Sequence, residues 1–334
     1  MSDAVLTTYE LRKCVAKLPR LELAYLPTPL EEAPNFAAQV GWGRIFVKRD
    51  DCTGLFLGGN KTRHNEFLMA DALAQGCDVV VWGAGTQSNN CRQTAAACAK
   101  LGLECHLILT RAAHNDDIQG NLLLDYLAGA RVEIVDAAMG PELDDLITAR
   151  AEELRKEGRK VYSWDRHKGR PLAAVSYVVT LIEIVEQMAQ RQIEPAAVYC
   201  CSAGATGAGL ALAKKVLGLK WKLKLIAPIK WPWDMRADVA TVSNQTAELL
   251  GLPHRLTADD IDGSEDYIGK GYGLVSAEGQ EALTLMARRE GILLDPVYTA
   301  KAMAAMMDDV RTKREPAGEV GGFIHTGGVP AVFA

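Results

Sequence analysis

Residues 78–90 read DVVVWGAGTQSNN, and this stretch decides the architecture of the 334-residue chain. A short apolar run gives way to small and polar residues, which are followed by an alanine-rich run at 92–101. This order predicts a buried strand, a tight turn and a helix. The alternation continues, with further strands predicted at 104–109 and 131–135 and further helices at 120–128 and 141–157. Repeated strand–helix units predict a parallel sheet with helices on both faces.

A second series of the same kind fills the C-terminal half. A long helix is predicted at 171–191, and strands are predicted at 196–201 and 222–228. The predicted fold class is therefore α/β, with two three-layer domains, mostly parallel sheets and a cleft between the domains. In such sheets, ligands bind beyond the carboxyl ends of the strands.

The turn GGNK at 58–61 lies between a strand-like run and a helix-like run, and it carries a candidate catalytic lysine. A lysine that is fixed at a helix start and partly removed from water loses its proton more readily, which makes it a natural anchor for an aldehyde. Lys48 competes with Lys61 for this role. Its run with the charged residues 49–51 favours an ion-pair cluster that supports the fold.

Two other turns are typical of anion sites. The turn that contains Ser88 and Asn89 follows a strand and precedes a helix, and its hydroxyl and amides predict a carboxylate site. The run SAGATGAG at 202–209 has the same context and predicts a phosphate site, because backbone N–H groups converge at a helix N-terminus. An amine anchor, a carboxylate site and a phosphate site are together what an enzyme needs to use pyridoxal phosphate on an amino acid.

The composition limits the classes of partner. A net charge of -5 and a pI near 5.8 argue against nucleic acid or an anionic membrane as the partner. No apolar run approaches the roughly 20 residues that span a bilayer, and the N-terminus lacks a signal-peptide pattern, so a cytoplasmic protein is expected. The eight cysteines show no C-x-x-C spacing, which favours buried thiols, and the histidines show no ligand-pair spacing, so no metal site is predicted.

Eight short motifs occur in order from near residue 20 to the C-terminus. They are LPTPL at 26–30, VKRDD at 47–51, GGNK at 58–61, QSN at 87–89, RQTAA at 92–96, GYG at 271–273, GILLDPVY at 291–298 and FIHTGG at 323–328. Together they resemble the D-cysteine desulfhydrase and 1-aminocyclopropane-1-carboxylate (ACC) deaminase family, with its cysteate sulfo-lyase-like members. This family belongs to the tryptophan-synthase-β-like, fold type II pyridoxal-phosphate enzymes. The resemblance implies a small domain at 62–172 inserted into a large domain formed by 1–61 and 173–334.

The resemblance also implies pyridoxal 5'-phosphate as the cofactor, bound in the cleft, with Lys61 as its Schiff-base lysine and as general base at Cα. It implies that Ser88 meets the substrate carboxylate, with a possible second role as a proton relay, and that Asn89 meets the cofactor ring hydroxyl. Helix capping by either residue is compatible with these roles. The phosphate is expected on five consecutive residues, through their backbone and one hydroxyl: Ala203, Gly204, Ala205, Thr206 and Gly207.

Two tyrosines and two threonines complete the implied site. Tyr298 matches the family's tyrosine next to the cofactor ring, and Tyr272 matches a second active-site tyrosine. Thr326 is the best candidate for the partner of the pyridine nitrogen, because a hydroxyl leaves that nitrogen largely unprotonated. In the ACC-cleaving branch a glutamate follows the tyrosine of DPVY, whereas this chain has Thr299, as in the D-cysteine branch.

The chain also departs from the D-cysteine branch. Asn90 replaces the histidine of the branch's QSNH motif, and SWDRHKGR at 163–170 replaces a glycine-rich loop. This segment is interpreted either as a solvated charged loop or as a loop that recognises a second anionic group, such as the sulfonate of cysteate. Asn90, Arg166 and Gly327 join Ser88 and Asn89 as candidate substrate-binding residues.

The predicted function is that of a pyridoxal-phosphate-dependent lyase which performs α,β-elimination on a small β-substituted amino acid to give pyruvate and ammonia. D-cysteine is the default substrate, cysteate the first alternative and ACC the second, and a homodimer is the expected assembly. An NAD-dependent oxidoreductase is the rival from another class, but Ser88 stands where the dinucleotide fingerprint needs its third glycine. A non-catalytic binding module is the other rival, and the intact lysine and phosphate loop argue against it.

Overall fold

The structure is a computed structural model that describes residues 4–111, 117–315 and 318–334, with the helix backbone alone at 166 and 167. Its strands are β1 (Leu30–Glu32), β2 (Arg44–Lys48), β3 (Val79–Gly85), β4 (Glu104–Thr110), β5 (Arg131–Val135), β6 (Val161–Ser163), β7 (Ala197–Cys201), β8 (Lys222–Ile226), β9 (Asp262–Ser264) and β10 (Val320–Ile324). Its α-helices are α1 (Thr8–Val15), α2 (Pro34–Val40), α3 (Asn60–Ala74), α4 (Asn89–Leu101), α5 (Gly120–Leu127), α6 (Pro141–Lys156), α7 (Arg166–Gln190), α8 (Ala205–Val216), α9 (Met235–Leu249), α10 (Ala277–Glu290) and α11 (Thr299–Arg311).

The strands form two mostly parallel sheets. The first has the order β1-β2-β10-β7-β8-β9, in which only the β1–β2 pair is antiparallel. The second has the order β5-β4-β3-β6 and is parallel throughout. The predicted fold class is thereby confirmed. All strands of the second sheet lie between residues 79 and 163, inside the interval predicted for the inserted domain, whose boundaries stay a prediction.

Each sheet is the middle layer of three. Helices α7, α8 and α9 cover one face of the first sheet, and α2, α10 and α11 cover the other. Helix α4 covers one face of the second sheet and α6 covers the opposite face. Adjacent Cys200 and Cys201 point into the two different cores of the first sheet, as the alternation of side chains along a strand requires. All eight cysteines are free thiols, and six of them are buried.

The segment 163–170 is not the loop that the sequence predicts. Ser163 ends β6, and α7 begins at Arg166 rather than at Pro171. A proline normally marks the first turn of a helix, but here Pro171 lies inside α7. The basic residues of the segment therefore lie on the first turns of a helix.

Helix α7 is also more apolar than expected. Its stretch Lys168–Gln190 is long enough to cross a membrane and contains an 18-residue window with a mean hydropathy of 1.5, but 72% of that window is buried inside the protein. Its burial against α3, α8 and α9 is that of a core helix.

A buried ion network fixes the start of α3. The Lys48 ammonium lies 2.9 Å from Glu183, and the Arg63 guanidinium lies 2.8 Å from Asp50 and 2.9 Å from Glu183. Burial alone would raise the pKa of Glu183, but Arg63 and Lys48 lower it to about 2. Removal of one partner would leave a buried charge unpaired, at a cost of about 3–5 kcal/mol. Lys48 is thus a structural residue, which agrees with its interpretation from the sequence.

Candidate active site

One cavity of about 280 Å³ brings most of the predicted site residues together. It lies at the carboxyl ends of β3 and β7, where α4 and α8 begin, and beside the first turn of α3. The predicted residues that line it are Lys61, Ser88, Asn89, Asn90, Ala203, Gly204, Ala205, Thr206, Tyr272, Tyr298 and Thr326. Gly207 and Gly327 do not line it. The Arg166 side chain lies outside the described residues.

Lys61 is positioned by the two glycines before it. Gly58 and Gly59 have φ angles of 65° and 122°, and a Cβ on Gly58 would lie 1.9 Å from the carbonyl oxygen of Asp51. Only glycine fits such a turn. Burial lowers the pKa of Lys61 to about 8. The amine is therefore partly unprotonated near neutral pH and suited to nucleophilic attack.

The start of α4 offers a second set of donors. The Ser88 Oγ caps the helix by accepting hydrogen bonds from the backbone N–H of Asn90 at 3.1 Å and of Cys91 at 3.2 Å. Its hydroxyl hydrogen is left for a ligand. The Asn89 Oδ1 accepts from Asn121 Nδ2 at 3.0 Å, which leaves the Asn89 amide NH₂ to donate to a ligand in the cavity. Capping and ligand binding thus coexist at this helix start.

The start of α8 forms a third set. Gly204 precedes the helix without a side-chain cap, and the first N–H groups of any helix lack an intrahelical acceptor. The Ser202 Oγ accepts from the N–H of Gly204 at 3.3 Å and from that of Gly207 at 2.8 Å, which occupies these two groups inside the loop. A Cβ on Gly204 would meet nothing within 4 Å, so open space adjoins the loop. An uncapped helix start that faces a cavity is suited to an anion such as phosphate.

Two residues that sequence reasoning missed hold Thr206. The Asn60 Nδ2 donates to Thr206 Oγ1 at 3.0 Å, and the His64 Nε2 lies 3.0 Å from the same oxygen. Burial, helped by the nearby Lys61 charge, lowers the pKa of His64 well below its usual range, so its ring is neutral. The spacing was a usable signal, because residues four apart share one face of a helix and both flank Lys61.

The two tyrosines are in contact. Tyr272 and Tyr298 join their hydroxyls in a hydrogen bond, with ring centroids 5.9 Å apart. Burial raises the pKa of Tyr272 to about 12, so its hydroxyl is protonated at neutral pH. Asp295 accepts from the Tyr298 N–H at 2.9 Å and from the Thr299 hydroxyl at 2.7 Å. Thr299 therefore supports the turn that places Tyr298 and does not line the cavity.

Asn90 and Gly327 lie at different places relative to the cavity. The Asn90 Oδ1 is buried and has no hydrogen-bond partner among the described residues, so it is an acceptor for a ligand. Gly327 has a φ of 93°, and a Cβ there would lie 2.6 Å from Gly59 Cα. It packs behind the Lys61 turn, where only glycine fits.

The basic segment at the start of α7 is at least partly neutralised. Arg170 forms a bidentate ion pair with Asp238 of α9, with 3.1 Å between Arg170 Nη1 and Asp238 Oδ1. A guanidinium paired in this way has fewer donors for a second anion. The Arg166 and His167 side chains, on which the rest of the anion hypothesis depends, lie outside the described residues.

Behind the cavity, Arg92 connects two of the turns. It is fully buried, and it donates to the carbonyl oxygen of Gly58 at 2.9 Å and to Asn121 Oδ1 at 3.0 Å. Asn121 in turn donates to the backbone of Gln87 at 2.9 Å. The Lys61 turn and the start of α4 are therefore held in one buried network, which the RQTAA motif alone did not reveal.

The residues present fit pyridoxal phosphate. The uncapped start of α8 suits the phosphate, the buried amine of Lys61 suits the aldehyde, and the Asn89 amide suits the ring oxygen. Thr326 lines the same cavity, and its backbone oxygen accepts from the Asn60 N–H at 2.9 Å.

Comparisons with known proteins also indicate pyridoxal phosphate as the cofactor. The model of the family described as "Pyridoxal-phosphate dependent enzyme" matches residues 21–327. A D-cysteine desulfhydrase from Klebsiella pneumoniae (strain 342) is 39% identical over 328 residues, which cover 96% of this chain and 97% of the relative. A solved structure described as an ACC deaminase homologue has a TM-score of 0.86 at 34% identity and covers 97% of this chain and 96% of that chain.

A more distant structure shares the fold alone. Diaminopropionate ammonia lyase of Escherichia coli has a TM-score of 0.67 at 16% identity, with 99% of this chain and 92% of that chain covered.

Proposed function

Since this chain belongs to the family of pyridoxal-phosphate-dependent enzymes and is a lyase that uses this cofactor, we propose that it performs α,β-elimination on D-cysteine. The products are pyruvate, ammonia and hydrogen sulfide. The observation that carries the proposal is the single cavity that joins the Lys61 amine to the starts of α4 and α8. The likeness to the Klebsiella enzyme supports D-cysteine as the substrate.

The side chains of the cavity have separate roles in the reaction. When bound, the cofactor withdraws electrons from the substrate and stores the pair that a lost Cα proton leaves behind. Lys61 accepts that proton, because burial has lowered its pKa to about 8. The Ser88 hydroxyl and the start of α4 bind the substrate carboxylate, whose negative charge a helix N-terminus stabilises.

The leaving sulfur needs a proton. Tyr272 carries one at neutral pH, since burial raises its pKa to about 12, and its hydroxyl is hydrogen-bonded to that of Tyr298. We assign the proton donation to Tyr272 and the orientation of its hydroxyl to Tyr298. We assign to the Asn90 Oδ1, which has no partner among the described residues, a hydrogen bond from the substrate amine.

The alternatives are less well supported. Activity on ACC is less well supported because Thr299 follows Tyr298. The Thr299 hydroxyl donates to Asp295, and Thr299 does not line the cavity. For cysteate, the charge of Arg170 is already paired with that of Asp238.

The proposal is tested with purified enzyme and a set of five substrates: D-cysteine, L-cysteine, D- and L-cysteate, and ACC. Pyruvate, or 2-oxobutanoate in the case of ACC, is measured by a coupled reduction, and sulfide or sulfite is measured separately. We expect the highest kcat/KM for D-cysteine. A higher value for either cysteate enantiomer or for ACC would overturn the substrate, and the absence of pyruvate from all five would overturn the reaction.

We also propose a cytoplasmic homodimer without nucleic acid or membrane partners. The free thiols are consistent with a reducing compartment, and the net charge is -5. Support for a dimer comes from exposed apolar side chains near α5, where Ile118 is 60% exposed, Leu127 67% and Phe333, at the C-terminus, 65%. Sedimentation of the wild type and of Leu127→Asp tests it, since the variant should shift toward monomer.

A further inference from the structure

Lys301 is a lysine in an unfavourable place. It lies in the first turn of α11 and is completely buried. A lysine is almost never fully buried unless its charge is paired. A positive charge is also disfavoured at the N-terminal end of a helix, where the helix dipole is itself positive. The position of Lys301 therefore requires contacts that compensate its charge.

Three backbone carbonyl groups surround the Lys301 ammonium. The Lys301 Nζ donates to the carbonyl oxygen of Ile268 at 2.8 Å, to that of Gly271 at 3.0 Å and to that of Pro228 at 3.3 Å. An ammonium has three N–H donors, and each of them meets one carbonyl. An uncharged amine has two N–H groups and a lone pair that would face the third oxygen. The three carbonyls therefore select the charged form, although burial lowers the pKa of Lys301.

The three carbonyls belong to segments that form the active-site cavity. Pro228, which follows β8, lines the cavity directly. Gly271 immediately precedes Tyr272, which also lines the cavity, and Ile268 lies three residues earlier in the same segment. Lys301 therefore connects the segment that carries Tyr272 to the start of α11 and to one wall of the cavity.

The segment that carries Tyr272 has no regular secondary structure. Residues 265–276 form turns and bends and contain neither a helix nor a strand. The glycines at 269, 271 and 273 have φ angles of 69°, 151° and 80°. Because glycine has access to many backbone conformations, the place of Tyr272 depends on contacts between this segment and the rest of the protein.

The start of α11 holds both tyrosines of the hydrogen-bonded pair. Asp295, just before α11, accepts from the Tyr298 N–H at 2.9 Å. Lys301, in the first turn of the same helix, holds the carbonyl group of Gly271 next to Tyr272. A hydroxyl can pass its proton to a leaving group only from within hydrogen-bond reach. The contacts at α11 therefore control the geometry that this proton transfer needs.

We propose that Lys301 is a positioning residue for the leaving-group step, in which its ammonium, bound to three carbonyls, holds Tyr272 where the tyrosine hydroxyl protonates the departing sulfur. The inference rests on the proposed function, because it concerns the proton donor assigned there. Lys301 does not line the cavity. It acts through the Tyr272 segment and not by contact with the substrate.

The step balances without a further co-reactant. Lys61 takes the Cα proton, the electron pair of the Cα–H bond forms the Cα–Cβ double bond, and the Cβ–S bond breaks with its pair on sulfur. The sulfur takes the proton of the Tyr272 hydroxyl, and the tyrosine regains a proton from solvent. Loss of chloride from Cβ moves the same electron pairs but needs no proton, because chloride is a very weak base.

Two substrates that differ in their leaving group test the inference with the holoenzyme. Lys301→Met keeps much of the volume of the side chain and removes its three donors. We expect this variant to lower kcat for D-cysteine about a hundredfold, because the proton donor is displaced. Its kcat for 3-chloro-D-alanine should stay within about threefold of the wild type, because chloride leaves without a proton. Pyruvate is measured for both substrates.

A second variant and a control accompany this comparison. Lys301→Gln should show the same selectivity with a smaller loss, because its amide keeps two N–H donors. Lys224→Met is the matched control, since the Lys224 side chain is only 15% exposed, pairs with Asp309 at 2.6 Å and with Glu315 at 3.0 Å, and does not line the cavity. The control should change kcat for the two substrates by the same factor.

The outcomes separate the inference from the proposed function. Equal losses for the two substrates in Lys301→Met, or an unchanged kcat for D-cysteine, would overturn the inference and leave the proposed function standing. Failure of both Lys301 variants to fold, judged by circular dichroism, would also overturn it, because the lysine would then serve the fold as a whole. A wild type that releases pyruvate from 3-chloro-D-alanine but not from D-cysteine would overturn the proposed substrate, and the inference with it.

Discussion

Replacement of Asp125 by asparagine should change how the stability of the protein depends on pH. Asp125, on α5, is fully buried, and neither carboxylate oxygen has a hydrogen-bond partner among the described residues. Burial raises its pKa from the ordinary 3.8 to about 8, against the opposing charge of Arg92. Arg92 and Cys91 of α4 and Cys105 of β4 are the titratable groups that interact with it. Asp125 is therefore uncharged in the folded protein at neutral pH.

The expected magnitude follows from proton linkage. Between the unfolded pKa of 3.8 and the folded value of about 8, the folded state holds one proton more than the unfolded state at this residue. The free energy of unfolding then falls by about 1.4 kcal/mol for each unit of rising pH. The contribution is complete below the unfolded pKa and is lost as the pH approaches the folded one. From about pH 5 to about pH 7, the wild type should lose about 2.7 kcal/mol that Asp125→Asn does not lose.

Urea unfolding of the wild type and of Asp125→Asn at a series of pH values measures this difference, since effects common to both proteins cancel. Asp136→Asn is the matched control, because the Asp136 side chain is 83% exposed and its substitution should leave the pH profile unchanged. Profiles of the wild type and Asp125→Asn that run parallel within about 0.5 kcal/mol from pH 5 to 7 would refute the reasoning. They would mean that Asp125 is ionised in the folded state and pairs with Arg92.

Three further predictions concern the cofactor and the wall of the cavity. Lys61→Ala should abolish both turnover and the absorbance of protein-bound cofactor. In the wild type, the rate of covalent cofactor uptake should rise with pH up to about 8, the pKa of Lys61. A borohydride-fixed cofactor label on another lysine would contradict this assignment. Gly204→Asp should weaken cofactor binding by about tenfold or more through repulsion of the phosphate, while Gly204→Ala, whose Cβ meets nothing within 4 Å, should bind nearly normally in the same titration. Arg170→Ala should change kcat/KM for D-cysteine and for cysteate by less than about twofold, because Asp238 already neutralises the guanidinium; a selective loss for cysteate would restore the anion-recognition hypothesis.

The local patterns in the sequence were sufficient for the fold class and for most of the cavity. Strand–helix alternation depends on the period of apolar residues within short windows, so it can be read without tertiary contacts. The same holds for the turns at 58–61, 87–89 and 202–206, because their glycines, hydroxyls and amides indicate a tight turn and a helix start without tertiary information. The start of α7 was placed wrongly because the local signal of Pro171 pointed to the first turn, whereas the helix begins at Arg166.

Only the tertiary structure decided which residues far apart along the chain are in contact. His64 reaches Thr206, Arg92 reaches Gly58, and Arg170 pairs with Asp238, and none of these pairings has a local signature. A cavity beside α7 is of the same kind, because Trp82 of β3 and Trp231 of the loop after β8 line it together only in the folded chain. The sequence by itself determined which chemical groups stand at strand ends and helix starts, since those depend on neighbours along the chain. Which groups face one another across the cleft, and how much room lies beyond them, depends on the packing of the two sheets and their helices.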